Sequence, residues 1–332
     1  MSQEKTLPDL VGSLPVVGSR DKAKARWITV EPVLFLAMIG YGTIGTMRTQ
    51  YIRDRIAADK FNYTFDDNSS CVLDDKQLHI EREIQSEAAV WTMLLSLCSY
   101  IPPLFSAIVI GTWSDNHRRK TALLFPVVGM TIQSAIYLAI VSLHLPITVA
   151  FAGELIQGLT GGLPLLLSGC LSYIADVTDA QHRMYRIVIV ETTMLVGIGG
   201  SQIGLGYLIT LTSYIPPFYI VLALLLLDIC YILIPPFLLE TIVSDGVRDV
   251  RHQIQNLLHG MYRLIKVNHN GRRSRLVALG STSFLLTFMT TGYMNTVVLF
   301  GLGDPFCWTP DIVGIFMAMS LGAGGVGEYV RV

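Results

Sequence analysis

Long apolar segments recur along the chain and are separated by short polar stretches. A helix needs about 20 mostly apolar residues to cross a bilayer, and eight segments approach or reach that length. They run approximately over residues 28–50, 88–112, 121–143, 147–175, 187–210, 218–239, 276–300 and 311–327. The pattern predicts an all-α multi-pass membrane protein with eight spans, the last of them short and rich in glycine.

The composition supports a chain that lies in lipid. Of its 332 residues, 52% are hydrophobic and 15% are charged, and the mean hydropathy is +0.52. A soluble domain carries about 25% charged residues because its surface must face water, so the composition excludes one. The net charge of −1 gives no reason to expect nucleic acid as a partner, and we predict no cofactor.

The positions of lysine and arginine predict which loops face the cytoplasm. Cytoplasmic loops carry an excess of both residues. They are concentrated in the tail 1–27 and in the loops after spans two, four and six, whereas the loops after spans three, five and seven contain none. The N-terminus is therefore predicted to be cytoplasmic, and the loop 51–87 is predicted to lie outside.

The predicted outer loop 51–87 contains two acceptor triplets for N-glycosylation, which begin at Asn62 and Asn68. It also contains Cys71, and the outer loop after span seven contains Cys307. In an oxidising compartment we predict a disulfide between these two cysteines, with two free thiols as the alternative. The other three cysteines fall inside spans and are interpreted as small apolar residues.

The spans divide into six and two. Residues 28–239 contain the first six, residues 240–275 form a polar cytoplasmic linker with a predicted amphipathic helix, and residues 276–332 contain the last two. This order resembles the plan of major facilitator transporters, whose two six-helix halves hold the substrate between them. The resemblance implies the major facilitator fold, with the first six-helix bundle and the first two helices of an incomplete second bundle.

A short motif between spans two and three carries the same resemblance. The sequence from Gly111 to Lys120 is similar to the major facilitator signature, in which an acid and two bases occupy a cytoplasmic turn. Asp115, Arg119 and Lys120 stand at the places of those charged residues. Such pairs form in one conformation and part in the other, so they can bias an alternating-access equilibrium. Arg118 stands where the signature has glycine, and the turn is expected to be more strained or differently shaped.

Four strings, at residues 111–115, 173–177, 183–186 and 305–308, resemble the proton-coupled folate transporter and its relatives, including the thymic stromal cotransporter. The resemblance implies a glycosylated first outer loop that is bridged to the loop after span seven. It also implies that Glu191, an acid early in span five, takes part in proton coupling. Where the folate transporter has Arg and Asp in span four, this chain has Glu154 and Gly162, and Thr290 replaces a functional histidine in span seven. These departures argue against folate itself. The resemblance implies an organic solute that is folate-like, anionic or peptide-like.

Acidic residues inside spans are costly and are functional candidates by default. Glu191 lies near the start of span five, where it can carry a proton or be satisfied by Arg186. Glu154 lies deeper in span four beside Gln157, where the two either contact the substrate or pair with another helix. Asp228 in span six is interpreted as a polar contact between helices. Pro164 is the candidate for a kink beside a cavity.

The resulting functional prediction is transport of an organic solute by alternating access, coupled to protons. The alternative is a truncated, non-transporting form that regulates such a transporter or is unstable. The sequence Gly301-Leu-Gly303-Asp304 spells the GxGD motif of intramembrane aspartyl proteases, but no Tyr-Asp pair accompanies it, so no enzyme is predicted.

The predicted partners are a small organic solute, protons and membrane lipid, and a chain of this length is expected to transport only if it pairs with another copy. The plasma membrane is favoured over an endolysosomal membrane.

Overall fold

The computed structural model describes residues 29–61, 75–116, 118–179, 181–234, 238, 272–301, 306 and 308–329. These residues form ten α-helices and no strand, which confirms the all-α prediction. The helices are α1 Glu31–Phe61, α2 Asp75–Tyr100, α3 Pro103–Asn116, α4 Arg119–Leu143, α5 Ala150–Leu159, α6 Gly162–Val177, α7 Arg183–Leu211, α8 Ile215–Leu233, α9 Arg272–Gly301 and α10 Pro310–Tyr329. A short 3-10 helix, Ile147–Val149, precedes α5.

A helix occupies each of the eight predicted positions, with α2 and α3 in the second span and α5 and α6 in the fourth. Five of the described segments are long and apolar enough to cross a membrane. They are His79–Asp115, Arg119–Leu143, Ile147–Val177, Arg183–Ile209 and Ile215–Leu233. A shorter apolar helix runs over Asp311–Ser320. The chain is therefore a multi-pass membrane protein.

Helix α1 is the centre of the packing. It contacts α2, α7 and α8 along its length and touches α9, while α4 packs against α5, α6 and α8, and α10 packs on α7. α1 continues well past the predicted end at residue 50, because Tyr51, Ile52 and Ile56 are buried against neighbouring helices. Arg48 therefore lies in the middle of a long helix rather than at its end.

Two of the spans are broken where they face each other. The second is interrupted at residues 101–102, before Pro103 begins α3, and the fourth is interrupted between α5 and α6 at Gly161, whose φ is +94°. Only glycine adopts such a φ without strain. The Ser106 hydroxyl of α3 donates to the Gly158 carbonyl (2.9 Å), so a polar group at the break is satisfied. The sequence predicts the kink at Pro164, but the break lies three residues earlier. Pro164 falls in the first turn of α6, a position where proline does not interrupt a helix.

Several predictions concern residues outside the described part of the chain. Asn62, Asn68, Cys71 and Cys307 lie there, as does most of the 240–275 linker. The glycosylation sites, the disulfide and the amphipathic helix therefore stay predictions. Among the described cysteines, Cys98, Cys170 and Cys230 are free thiols.

Candidate functional site

A cavity of about 290 Å³ lies between the helices at mid-span. It is bounded by residues of α1, α2, α4, α5 and α7, by two residues of α9 and by one residue of α10. Its apolar lining comes from Ile44, Ile198, Val298 and Met317. Its polar lining comes from Tyr41, Thr46, Arg48, Thr49, Ser99, Tyr100, Gln133, Glu154, Gln157, Gln202 and Thr290. An apolar cavity with a few converging polar groups is the usual form of a small-molecule site.

The α1 residues reach the cavity because their spacing places them on one helix face. Tyr41 and Arg48 are seven residues apart and Thr46 and Thr49 are three residues apart, which are separations that bring side chains to the same side of a helix. Glu154 and Gln157 of the fourth span are likewise three residues apart on α5. The break at Gly161 follows them within about one turn, so α5 ends beside the cavity.

A buried ion pair, here called the charge pair, joins the first and fourth spans. Arg48 Nη1 donates to Glu154 Oε1 at 3.0 Å. The Tyr137 hydroxyl of α4 donates to the same oxygen at 2.7 Å, and Arg48 Nη2 donates to Ser96 Oγ of α2 at 3.2 Å. Glu154 is fully buried and Arg48 is 7% exposed. Glu154 therefore pairs with another helix, which is one of the two alternatives predicted for it. Arg48 and Glu154 also both line the cavity.

The charge pair leaves hydrogen-bonding capacity unused. Glu154 Oε2 and Arg48 Nε are both buried and have no hydrogen-bond partner among the described residues. Buried polar groups are ordinarily satisfied, because an unmade hydrogen bond costs about 1–3 kcal/mol. The pair can therefore accept further interactions from a proton or a bound solute.

Two glutamines are held in place around the charge pair. Gln157 Oε1 accepts a hydrogen bond from Ser99 Oγ at 2.9 Å. Gln202 Oε1 accepts one from Thr46 Oγ1 at 2.6 Å, and Gln202 Nε2 donates to the Gly42 carbonyl at 2.9 Å. These contacts tie α2 to α5 and α1 to α7, and they fix the orientation of both amides at the cavity wall.

The signature motif forms a second cluster at the end of the bundle where α4 begins. Arg119 Nε donates to Asp176 Oδ2 of α6 at 2.7 Å, and Arg119 Nη1 donates to Asp115 of α3. We call Asp115, Arg119 and Asp176 the signature cluster; it joins three helix ends. Lys120 makes no ion pair with the described residues. Arg118 has φ −150°, which is ordinary extended backbone, so the arginine in place of glycine causes no backbone strain.

A third polar group links the beginnings of α1 and α7. Arg186 Nη2 donates to Glu31 Oε1 at 2.5 Å and to Thr29 Oγ1 at 3.0 Å, and Arg186 Nη1 donates to Thr178 Oγ1 at 3.4 Å. Both Arg186 and Glu31 are buried. This contact and the signature cluster hold the helices together at the end of the bundle that is predicted to be cytoplasmic.

Glu191 and Asp228, the other two acids singled out from the sequence, also lie outside the cavity wall. Glu191 is an exposed residue of α7, about 12 Å from the start of that helix at 1.5 Å per residue. Asp228 of α8 is fully buried, and neither of its carboxylate oxygens has a hydrogen-bond partner within the described ranges. The described residues contain no group of acids, cysteines and histidines that could hold a metal ion.

Sequence reasoning missed Arg48, Tyr137, Gln202 and Asp176. A signal existed for Arg48, since an arginine inside a predicted span is a functional candidate by default and has the charge opposite to that of Glu154. Tyr137 and Gln202 carry no such signal, because an uncharged polar residue in a span is common.

The comparisons with known proteins agree with this architecture. A lysosomal proton-coupled steroid conjugate and bile acid symporter of Rattus norvegicus is 26% identical over 306 residues, which are 87% of this chain and 65% of the relative. The protein of that name from Bos taurus is 27% identical over 300 residues, with the same two shares. A proton-coupled folate transporter of Bos taurus is 24% identical over 285 residues, which are 86% of this chain and 61% of the relative.

This chain thus spans less than two thirds of the length of these curated relatives. The similarity to these proteins confirms the resemblance to the proton-coupled folate transporter and its relatives. These relatives are transporters and not enzymes. The sequence model of the Major Facilitator Superfamily matches residues 32–330. Since this match covers nearly the whole chain, the protein belongs to the major facilitator superfamily.

Proposed function

We propose that this protein takes part in carrying an organic solute across a membrane by alternating access, with protons as the coupling ion. The observation that carries the proposal is the mid-span cavity with the charge pair in its wall. An ion pair inside a membrane protein is expensive to keep, and such groups ordinarily mark substrate or ion pathways.

The lining of the cavity supports an organic solute rather than an inorganic ion. Ile44, Ile198, Val298 and Met317 offer apolar contacts, while the amides of Gln157 and Gln202 offer oriented polar ones. The names of the relatives mention steroid conjugates, bile acids and folate. Molecules of these kinds combine a large apolar body with charged groups, so they are the first candidates for this cavity.

Two clusters at one end of the bundle supply the conformational part of the proposal. The signature cluster and the Arg186–Glu31 pair both join helix ends on the side that is predicted to be cytoplasmic. Opening the cavity to that side requires these ion pairs to part, and a solute that binds one state better shifts the equilibrium. Lys120, the third signature residue, is proposed to contribute its charge to the same turn.

Proton coupling is proposed to involve Glu191, as the resemblance implies. Glu191 is an exposed residue of α7, about two helical turns from the start of that helix. The names of several relatives place those proteins in lysosomes, which does not favour the predicted location of this chain in the plasma membrane. Colocalisation of the tagged chain with lysosomal and plasma-membrane markers decides between the two membranes.

The test of transport uses the full chain reconstituted in liposomes. Radiolabelled taurocholate and folic acid are offered separately, with an acidic exterior and neutral interior, and then with equal pH on both sides. We expect accumulation with the gradient, loss of accumulation when an ionophore collapses it, and a weaker response to acid for Glu191→Gln. The control is Asp59→Asn, which changes an ion pair on α1 away from the cavity.

The absence of accumulation of both solutes, or accumulation that ignores the gradient, contradicts the proposal. Binding of either solute without accumulation supports instead the non-transporting form.

A further inference from the structure

We propose that Arg48 binds the anionic group of the solute and that Glu154 accepts a proton as the solute arrives. This inference rests on the proposed function, because it assigns the solute class and a proton site to the same cavity. It makes organic anions the preferred solutes. Two residues that neutralise each other in the empty cavity would then exchange partners during each cycle.

The geometry of the charge pair permits this exchange. Arg48 and Tyr137 both donate to Oε1 of Glu154, which leaves Oε2 without a partner among the described residues. A proton can bind at Oε2 without displacing any hydrogen bond. Arg48 keeps Nε unpartnered, and a guanidinium presents five N–H donors in a planar fork that suits carboxylate and sulfonate groups.

The balance of charge makes the exchange necessary. Arg48 and Glu154 are the charged residues of the described cavity wall, and together they are neutral. An anion that entered without a proton would leave one negative charge buried and uncompensated, which is strongly unfavourable. One proton on Glu154 cancels it: the anion pairs with Arg48, the neutral carboxyl stays beside them, and the cavity is neutral before and after.

The groups that face Glu154 leave it as the acceptor of the proton. They are Arg48 and Tyr41 on α1, Tyr100 on α2 and Tyr137 on α4, and the described wall of the cavity contains no histidine and no second acid. Tyrosine and arginine keep their protons at neutral pH. A proton taken up inside the cavity during acidification therefore binds to Glu154.

The experiment measures binding of radiolabelled taurocholate and folic acid to the purified full chain, in acidic and in neutral buffer. Taurocholate is informative because its sulfonate stays ionised in both buffers, so any pH dependence comes from the protein. A pH dye in weak buffer records protons taken up on binding. The methyl ester of cholic acid, which has a similar body and no charge, is the control ligand, and Asp59→Asn is the control variant.

The wild-type chain is expected to bind at least one of the two anions more tightly in acid, with about one proton taken up per molecule of taurocholate bound. Glu154→Gln should bind with similar affinity in both buffers and take up no proton. Arg48→Gln should weaken binding by about 10- to 100-fold in both buffers, the loss typical of a hydrogen bond to a charged group. The uncharged ester should be insensitive to both substitutions.

A second variant keeps the test decisive if either substitution prevents folding. Tyr137→Phe retains the charge pair and removes one hydroxyl that donates to the charged carboxylate, so the midpoint of the binding-versus-pH curve should move to higher pH. An unmoved midpoint, proton uptake by Glu154→Gln, or wild-type binding by Arg48→Gln overturns the inference. So does a wild-type chain that binds neither anion with pH dependence.

The two proposals fail separately. Proton-linked binding without accumulation in liposomes contradicts transport and leaves this inference standing. Proton-driven accumulation that Glu154→Gln performs like the wild type contradicts this inference and leaves transport standing.

Discussion

Replacement of Gly161 by alanine should destabilise the protein because the break in the fourth span needs a backbone that only glycine adopts easily. The φ of Gly161 is +94°. A residue with a Cβ in such a conformation costs about 1–3 kcal/mol. The added methyl group would also lie 2.7 Å from Cβ of Leu165, a fully buried side chain, and would approach its Cδ2 even more closely.

The crowding adds to the backbone cost. Overpacking of a core by one carbon typically costs about 1–3 kcal/mol. The two effects together amount to about 2–6 kcal/mol, a large share of the roughly 5–15 kcal/mol that stabilises a folded protein. At about 2–4 °C per kcal/mol for a protein of 150–250 residues, the melting temperature should fall by at least several degrees.

The same substitution elsewhere provides the matched control. Gly200 lies inside α7, and a methyl group there would meet no atom within 4 Å. Because alanine is the better helix former by about 0.8–1.0 kcal/mol, Gly200→Ala should leave the protein unchanged or slightly more stable. The two variants each add the same single carbon atom, and only Gly161→Ala should lower the melting temperature.

The assay is thermal unfolding of the purified protein in detergent, followed with a thiol-reactive dye. Cys170 on α6 is fully buried and becomes reactive when the bundle opens. Equal melting temperatures for Gly161→Ala and the wild type, or parallel shifts for the two glycine variants, would refute the assignment of the break to the conformation of Gly161.

Three further predictions use the same melting assay. Glu154→Ala should lower the free energy of unfolding by about 3–5 kcal/mol, because Arg48 is left buried and unpaired. The double variant Arg48→Met, Glu154→Leu should be nearly neutral, and equal losses of stability for the two would contradict a buried ion pair. Asp176→Asn should lower stability by about 1.5–3 kcal/mol, because it removes the charge that pairs with Arg119 in the signature cluster. Lys120→Gln should change stability by less than about 0.5 kcal/mol, and similar shifts for the two variants would contradict the cluster. Asp228→Thr should stabilise the protein by about 1 kcal/mol, because it replaces a buried carboxylate that has no partner among the described residues with a hydroxyl that can donate to the carbonyl four residues earlier. A lower melting temperature would show that the carboxylate has a partner.

The helices could be predicted from the sequence because long apolar segments have few alternatives in lipid. Backbone groups in the bilayer must be satisfied internally, so each segment becomes a helix. The end of α1 could not be predicted in this way. Hydropathy falls after residue 50, but the helix continues to Phe61 because Tyr51 and Ile56 find apolar partners on other helices.

The candidate site could be predicted only in part. Glu154 and the neighbouring Gln157 could be singled out in the fourth span, since polar residues inside an apolar segment are visible in the sequence itself. Their contacts with Arg48 and Ser99 depend on how distant segments pack, which no local pattern records. The sequence predicts a kink at Pro164, because proline has the lowest helix propensity. The structure has the break at Gly161, where the backbone φ is positive.

The charge pair also has a consequence for biosynthesis. Arg48 and Glu154 are 106 residues apart, and a ribosome that adds about 5–20 residues per second needs about 5–20 s to synthesise that interval. During this delay the first span holds an arginine without its carboxylate, at a cost of about 2.5–3.5 kcal/mol on insertion scales. The nascent first helix must therefore wait near the insertion machinery or the lipid surface until the fourth arrives. A chain that stalls in between carries an uncompensated cation, which quality control can recognise.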